Sequence, residues 1–123
     1  FPPALRIRRG RDFQRVYRCR QSVADKTLIV YAAWNDLDYP RLGWRVSRKV
    51  GGAVVRNRWK RLIREAFRRQ RPLLPVGVDL VVLPRRGVTP EAGPVFRSLP
   101  ALSRRVVHKL RRAVPQPGRE PPE

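Results

Sequence analysis

The residues best suited to a chemical task lie in one basic segment, residues 53–71, which contains no Gly or Pro. A helical projection at 100° per residue gives this segment a polar face with one acidic neighbour, Glu65. Lys60 and Arg64, and likewise Arg64 and Arg68, are like charges at i, i+4 spacing, which repel each other in a free helix. Bound phosphates would relieve that repulsion, so the pattern predicts binding to a nucleic-acid backbone, with a solvated charged face as the alternative. We call this face the basic ridge: Asn57, Lys60, Arg61, Arg64, Arg68 and Arg71.

The opposite face of the same segment is apolar and is predicted to pack against a sheet. It carries Val55, Trp59, Leu62, Ile63 and Ala66. A basic amphipathic helix can also lie on anionic lipid, but strands elsewhere in the chain need cover, which favours a buried face and no membrane partner. No run approaches the roughly 20 apolar residues of a membrane span. Together with a single cysteine, this predicts a cytoplasmic protein.

Aromatic and basic residues outside this helix suggest a second binding feature. Phe13 and Tyr17 are one helical turn apart and Tyr31 lies in a β-rich run, so their rings could stack unpaired bases. Packing in the core is the alternative, and for Phe13 the two readings weigh equally. Arg48 and Lys49 precede Gly51-Gly52 at the start of the long helix, where an anion is favoured.

Catalysis by side chains is not predicted. The chain has one cysteine, Cys19, and one histidine, His108, which cannot supply a thiolate metal cluster or both members of a nucleophile–base pair. Lys and Arg total 29 against 9 Asp and Glu, a formal net charge of +20 that calls for a polyanionic partner. We therefore predict no catalytic residue, and the composition does not decide whether the protein orders a metal.

The order of the elements predicts an α+β fold with helices packed on one sheet. Hydrophobic periodicity predicts a helix over 11–20, strands over 27–34 and 41–47 paired as an antiparallel hairpin, the helix over 53–71, a strand over 78–83 and a final helix marked by Leu99 to Val114. We expect a basic extended arm at 1–9, one domain at 10–113 and a disordered Pro-rich tail at 114–123.

The run from Gly51 to Arg68, GGAVVRNRWKRLIREAFR, resembles the signature of the bacterial ribonuclease P protein component. Support continues upstream in Asp12-Phe13-x-x-Val16-Tyr17 and in residues 46–51, and downstream in residues 79–82. The resemblance implies a single αβββαβα domain, similar to one ribosomal protein domain, with an unusual left-handed β-α-β crossover. General chain physics would favour a right-handed one.

In that family the RNA subunit performs Mg²⁺-dependent hydrolysis of precursor tRNA, and the protein assists substrate binding. The resemblance therefore implies ribonuclease P RNA and precursor tRNA as partners, and Mg²⁺ bound mainly by the RNA. The residues that it places on the catalytic RNA are Arg56, Asn57, Arg58, Lys60, Arg61, Arg64 and Arg68. Those that it places in a cleft for the single-stranded 5′ leader are Phe13, Tyr17, Tyr31, Arg45, Arg48, Lys49 and Arg85.

Three positions depart from the family's usual pattern. Arg45 stands where Ser is common, Gly52 where Asn is common, and Tyr17 where Phe is frequent. Arg45 could add a phosphate contact or change the chemistry of the cleft. The principal alternative function is a ribosomal or other structural RNA-binding protein, which would need no leader cleft. A DNA-binding module is disfavoured because no helix-turn-helix pair is evident.

Overall fold

Our computed structural model describes residues 2–116, which contain three α-helices and four β-strands. The helices are α1 (Gly10–Arg18), α2 (Ala53–Gln70) and α3 (Ala92–Ala113). The strands are β1 (Ser22–Ala24), β2 (Leu28–Trp34), β3 (Arg41–Trp44) and β4 (Val78–Pro84). This αβββαβα order in one mixed α+β domain confirms the predicted fold class.

The four strands form one sheet in the order β1-β2-β4-β3. β2 is antiparallel to β1 and β4, whereas β3 is parallel to β4, with Leu42 opposite Leu80. The predicted hairpin of β2 with β3 is therefore wrong, because β4 lies between them. The turn residues after β2 show where the strand ends but do not determine which strand pairs with it. The nearly continuous apolar run of β4 is typical of a central strand buried on both faces. The left-handed crossover stays a prediction.

One face of the sheet carries the main core, and two helices cover it. Alternate residues of β2 and β4, including Val30 and Leu80, face α2 and α3. Trp59, Ile63 and Phe67 of α2 are fully buried there, which confirms the predicted apolar face of the long helix.

Among residues 2–116, the one helix on the other face of the sheet is α1, which has nine residues. Phe13 and Val16 pack there with Ile7, Ala33 and Val81 in a small second core. α1 is too short to cover the whole face, so Ile29, Tyr31 and Leu83 remain half-buried. This unequal cover leaves an open sheet surface beside α1.

Both chain ends pack on the domain as far as they are described. Leu5 and Ile7 are buried, and the Ile7 N–H donates to the Leu42 carbonyl at 2.9 Å, so residues before α1 continue the sheet beyond β3. At the other end, the indole Nε1 of Trp34 donates to the Val114 carbonyl at 2.8 Å. Most of the predicted tail, residues 117–123, lies outside the described residues.

A buried carboxylate, Asp79 of β4, joins several of these elements. Its side chain is fully buried and accepts from Arg41 Nε at 2.8 Å and Arg41 Nη2 at 2.6 Å. Arg15 of α1 forms an ion pair with it, and Asn35 Nδ2 donates to it at 3.0 Å. The hydrogen bonds to Asp79 raise the pKa of Arg41 above its usual value. Asp79 therefore fixes α1 and β3 relative to β4.

We expect Asp79→Ala to lower the free energy of unfolding by about 3 kcal/mol, because removing one partner of a buried ion pair leaves the others uncompensated. Urea denaturation followed by circular dichroism measures this change. Asp38→Ala, at an exposed site in the loop between β2 and β3, is the control and should change stability by no more than about 0.5 kcal/mol. A loss below about 1 kcal/mol for Asp79→Ala would contradict the structural role given to this carboxylate.

Candidate nucleic-acid interface

A cleft of about 470 Å³ opens on the sheet face that α1 leaves uncovered. Its walls are apolar strand residues and cationic side chains from the ends of β3 and β4 and the turn before α2. We call it the central cleft: Ile29, Arg45, Ser47, Lys49, Val50, Leu83, Pro84, Arg85 and Arg86. It includes Arg45, Lys49 and Arg85, three of the residues that the family resemblance placed at the leader.

Two tyrosines lie together on the same face of the sheet. The rings of Tyr17 and Tyr31 meet edge to face, with centroids 5.0 Å apart and an interplanar angle of 85°. Burial raises the pKa of the Tyr17 phenol, and the charge and hydrogen bond of Arg45 offset this only in part. Tyr17 is therefore a neutral phenol at physiological pH, and it connects the aromatic pair to a cation of the central cleft.

Phe13 is packed in the core instead of facing the cleft as a bare ring. It is only 8% exposed, and the guanidinium carbon of Arg45 lies 4.2 Å from its ring centroid. Beneath it, a Cβ at Gly43 would come within 2.8 Å of Phe13 Cε1, so only glycine allows this close packing. Of the two readings open for Phe13, the structure favours the packing role, with Arg45 presenting the charge above it.

Two of the three cations between β3 and α2, Arg45 and Lys49, line the central cleft. Lys49 lines the cleft, whereas Arg48 is exposed and lies outside its lining. Gly51 has φ +146°, a value that L side chains rarely adopt, and a Cβ there would meet Val55 at 2.8 Å. Gly52 is the N-cap residue of α2 and makes no side-chain hydrogen bond there, because glycine has no side chain.

The basic ridge lies on the side of α2 that faces away from the core. Its members Asn57, Arg61, Arg64 and Arg68 are exposed and Lys60 is half-buried. Beside the ridge, Arg58 is exposed and Arg56 is half-buried. The Nε of Arg56 is buried and has no hydrogen-bond partner within residues 2–116. The seven residues that the resemblance placed at the catalytic RNA thus form one continuous polar surface with Arg56 at its start. Arg71 lies just past α2, in an exposed turn.

One member of the ridge is already paired. Arg68 Nη2 lies 2.7 Å from Glu65 Oε1, and Arg69 Nε lies 3.6 Å from the same oxygen. The hydrogen bond from Arg68 lowers the pKa of Glu65, and the same contact raises the pKa of Arg68. The repulsion predicted between Arg64 and Arg68 is therefore partly neutralised, and Arg58, Arg61 and Arg64 are the cations most free to bind a phosphate.

A second basic cleft, of about 460 Å³, was not predicted as a site from the sequence. Its cations come from the segment before α1, from the first turn of α1 and from the start of β3. We call it the N-terminal arginine cluster: Arg6, Arg8, Arg9, Arg11 and Arg41, with Pro3, Ala4, Asp12, Leu37 and Tyr39 completing the lining. The density of Arg in residues 6–11 was the available signal, but their convergence depends on the pairing of this segment with β3.

Groups suited to metal binding or covalent catalysis do not gather in the described part of the chain. Within residues 2–116, no three His, Cys, Asp or Glu side chains are placed to share a metal ion. Partial burial raises the pKa of the Cys19 thiol against the opposing charge of Arg15, so it is not an activated thiolate. His108 is exposed on α3. Among these same residues, no helix has the length and apolar character needed to cross a membrane.

Comparisons with known proteins point to one family. The family model described as Ribonuclease P matches residues 1–111. The ribonuclease P protein component of Brevibacillus brevis is 41% identical over 109 residues, covering 88% of this chain and 82% of the relative. That of Thermotoga maritima is 42% identical over 86 residues, covering 70% and 74%.

Solved structures of this family are similar in fold. The RNase P protein from Thermotoga maritima superposes with a TM-score of 0.67 at 36% identity, covering 87% of this chain and 96% of that one. A Staphylococcus aureus RNase P protein mutant with defective mRNA degradation activity gives a TM-score of 0.73 at 35% identity, covering 86% and 89%.

Proposed function

This chain belongs to the ribonuclease P protein family, and we propose that it binds both the catalytic RNA and the 5′ leader of precursor tRNA. Membership implies tRNA 5′-end processing by an endoribonuclease ribonucleoprotein, in partnership with ribonuclease P RNA. The observation that carries the finer proposal is the presence of two separate cationic surfaces of different chemistry. The basic ridge has no aromatic side chain among its exposed residues, whereas the central cleft adjoins an aromatic pair.

The basic ridge is the surface that we assign to the catalytic RNA. Its exposed guanidinium groups project from a rigid helix whose other face is buried, so their spacing is fixed before binding. Guanidinium forks suit bidentate contacts to phosphate oxygens. The free donor of Arg56 adds a position where an RNA oxygen would satisfy a buried polar group.

The central cleft is the surface that we assign to the leader. An unpaired strand can place phosphates against Arg45, Lys49 and Arg85 while bases contact the apolar strand residues and the tyrosine pair. Such contacts tolerate many sequences, as a processor of varied precursors requires. The protein then positions the leader, and the scissile bond lies with the RNA subunit.

Catalysis is proposed to belong to the RNA subunit, with Mg²⁺ held mainly by RNA oxygens. Mg²⁺ prefers oxygen ligands and keeps several waters, which phosphate groups can accommodate. The described residues do not fit a Mg²⁺ site of their own, since no three suitable ligands converge and the Asp79 oxygens are engaged by Arg15, Arg41 and Asn35. No step is therefore assigned to a protein-bound metal.

Reconstitution tests the whole proposal. We expect the purified protein, mixed with a bacterial ribonuclease P RNA and labelled precursor tRNA at low Mg²⁺, to accelerate release of the 5′ leader relative to RNA alone. Protein alone should release none. Absence of stimulation with a well-folded cognate RNA would instead favour a ribosomal or structural RNA-binding role.

Charge removal on the ridge tests its assignment. We expect Arg61→Ala with Arg64→Ala to weaken binding to the catalytic RNA and to lower the slope of log K against log salt by about two, near 0.9 for each lost phosphate contact. Filter binding between low and physiological salt measures both quantities. Arg104→Ala with Arg111→Ala removes the same charge from exposed positions on α3 and should leave the slope nearly unchanged. An unchanged slope in the ridge variant would mean that the ridge is only solvated.

Loss of an aromatic ring tests the central cleft. We expect Tyr31→Leu to weaken holoenzyme binding to precursor tRNA by about 1–3 kcal/mol, the usual contribution of one stacked base, without changing affinity for mature tRNA. Equilibrium binding of the two tRNAs gives the comparison. Phe96→Leu, a half-buried site on α3, is the control for a general effect of removing a ring. An equal loss for precursor and mature tRNA would contradict leader binding at this face.

A further inference from the structure

We propose that the N-terminal arginine cluster binds the phosphates of the precursor leader that lie beyond the central cleft. This inference rests on the proposed leader function of the central cleft and extends the leader path to a second site. The ligand is a run of single-stranded RNA phosphates, recognised by charge and not by base identity.

The cluster is held in place by packing that leaves its cations exposed. Leu5 and Ile7 are buried on the domain, and the backbone of Ile7 bonds to Leu42 of β3. The side chains of Arg6, Arg8, Arg9 and Arg11 project from this fixed segment and from the start of α1 into solvent. Arg6 also lies over the Trp44 ring, at 4.5 Å from its centroid. The arginines are therefore anchored through their backbone and need little ordering on binding.

Carboxylates of residues 2–116 leave most of the charge of the cluster unbalanced. In the described chain, Arg8, Arg9 and Arg11 form no ion pair with a carboxylate. The one carboxylate in the lining, Asp12, lies 3.9 Å from Arg41, whose guanidinium is already engaged by Asp79. Such a concentration of unpaired guanidinium groups repels itself until a polyanion binds.

Arg41 of the cluster and Arg45 of the central cleft lie on the same face of the sheet, at opposite ends of β3. Arg41 lines the cluster, and Arg45 lines the central cleft four residues later, which is about 13 Å along a strand. Between them, Arg45 covers Phe13, and Asp12, the preceding residue, lines the cluster. The two clefts are therefore separated by the length of about four stacked nucleotides at 3.4 Å each, and by fewer nucleotides if the strand is extended.

The chemistry of the cluster predicts how it reads the strand. Guanidinium forks bind phosphate oxygens bidentately, and the only aromatic ring in its lining is that of Tyr39. Binding there should depend on how many leader nucleotides are present and little on their sequence. Leaders too short to pass the central cleft should gain nothing from it.

The test uses the reconstituted holoenzyme and two precursors that differ only in leader length. At 3.4 Å per nucleotide, a leader of about four nucleotides ends before the cluster, and one of about twelve nucleotides extends past it. Wild-type protein should bind the long-leader precursor about tenfold more tightly, with a salt slope steeper by about two for three phosphates at 0.7 each. Arg8→Gln with Arg9→Gln and Arg11→Gln should abolish both differences while leaving binding of the short-leader precursor unchanged.

A matched variant distinguishes the effect of losing this local site from the effect of lowering the net charge of the protein. Arg104→Gln with Arg111→Gln and Arg112→Gln removes three exposed charges from α3 and should keep the full gain from leader length. The inference is overturned if both triple variants lose the gain equally, if the cluster variant keeps it, or if that variant weakens assembly with the catalytic RNA regardless of leader. A wild-type holoenzyme that releases leader but shows no length dependence also overturns it, whereas one that releases no leader overturns the proposed function itself.

Discussion

The ion-pair network around Asp79 is the constraint on which the geometry of both basic clefts depends. A fully buried carboxylate must be compensated, and here Arg15, Arg41 and Asn35 all donate to it. These partners come from α1, from β3 and from the loop before β3. One charge in the central strand thus orients the short helix and the edge strand whose side chains border both basic clefts.

The helices cover the two faces of the sheet unequally, and the cationic and aromatic side chains of the central cleft lie on the less covered face. Two long helices bury one face, while nine residues of α1 cover only part of the other. An uncovered apolar surface promotes aggregation, but this one is bordered by three cations, Arg45, Lys49 and Arg85. Cationic side chains therefore lie beside aromatic rings and apolar strand residues, the combination that single-strand-binding proteins use.

Sequence reasoning was strongest where one helix decides the arrangement by itself. The 3.6-residue period of α2 placed Trp59 and Ile63 in the core and Arg61 and Arg64 in solvent, as the structure has them. It failed where partners are distant in sequence. Strand pairing was wrong because nothing near β3 indicates that β4 will lie beside it. The convergence of Arg8 and Arg11 with Arg41 depends on the pairing of the N-terminal segment with β3, which is also distant in sequence. The covering of Phe13 by Arg45 is equally non-local.

Because Arg68 is paired with Glu65, one cation of the basic ridge becomes available for another anion only when this ion pair breaks. An exposed internal pair of this kind is itself weakened by salt. In the proposed complex, rising ionic strength therefore weakens the contacts of RNA with Arg58, Arg61 and Arg64 while it releases Arg68 from Glu65. The two effects oppose each other. The affinity of the ridge for a polyanion therefore falls less steeply with salt concentration than its number of arginines implies.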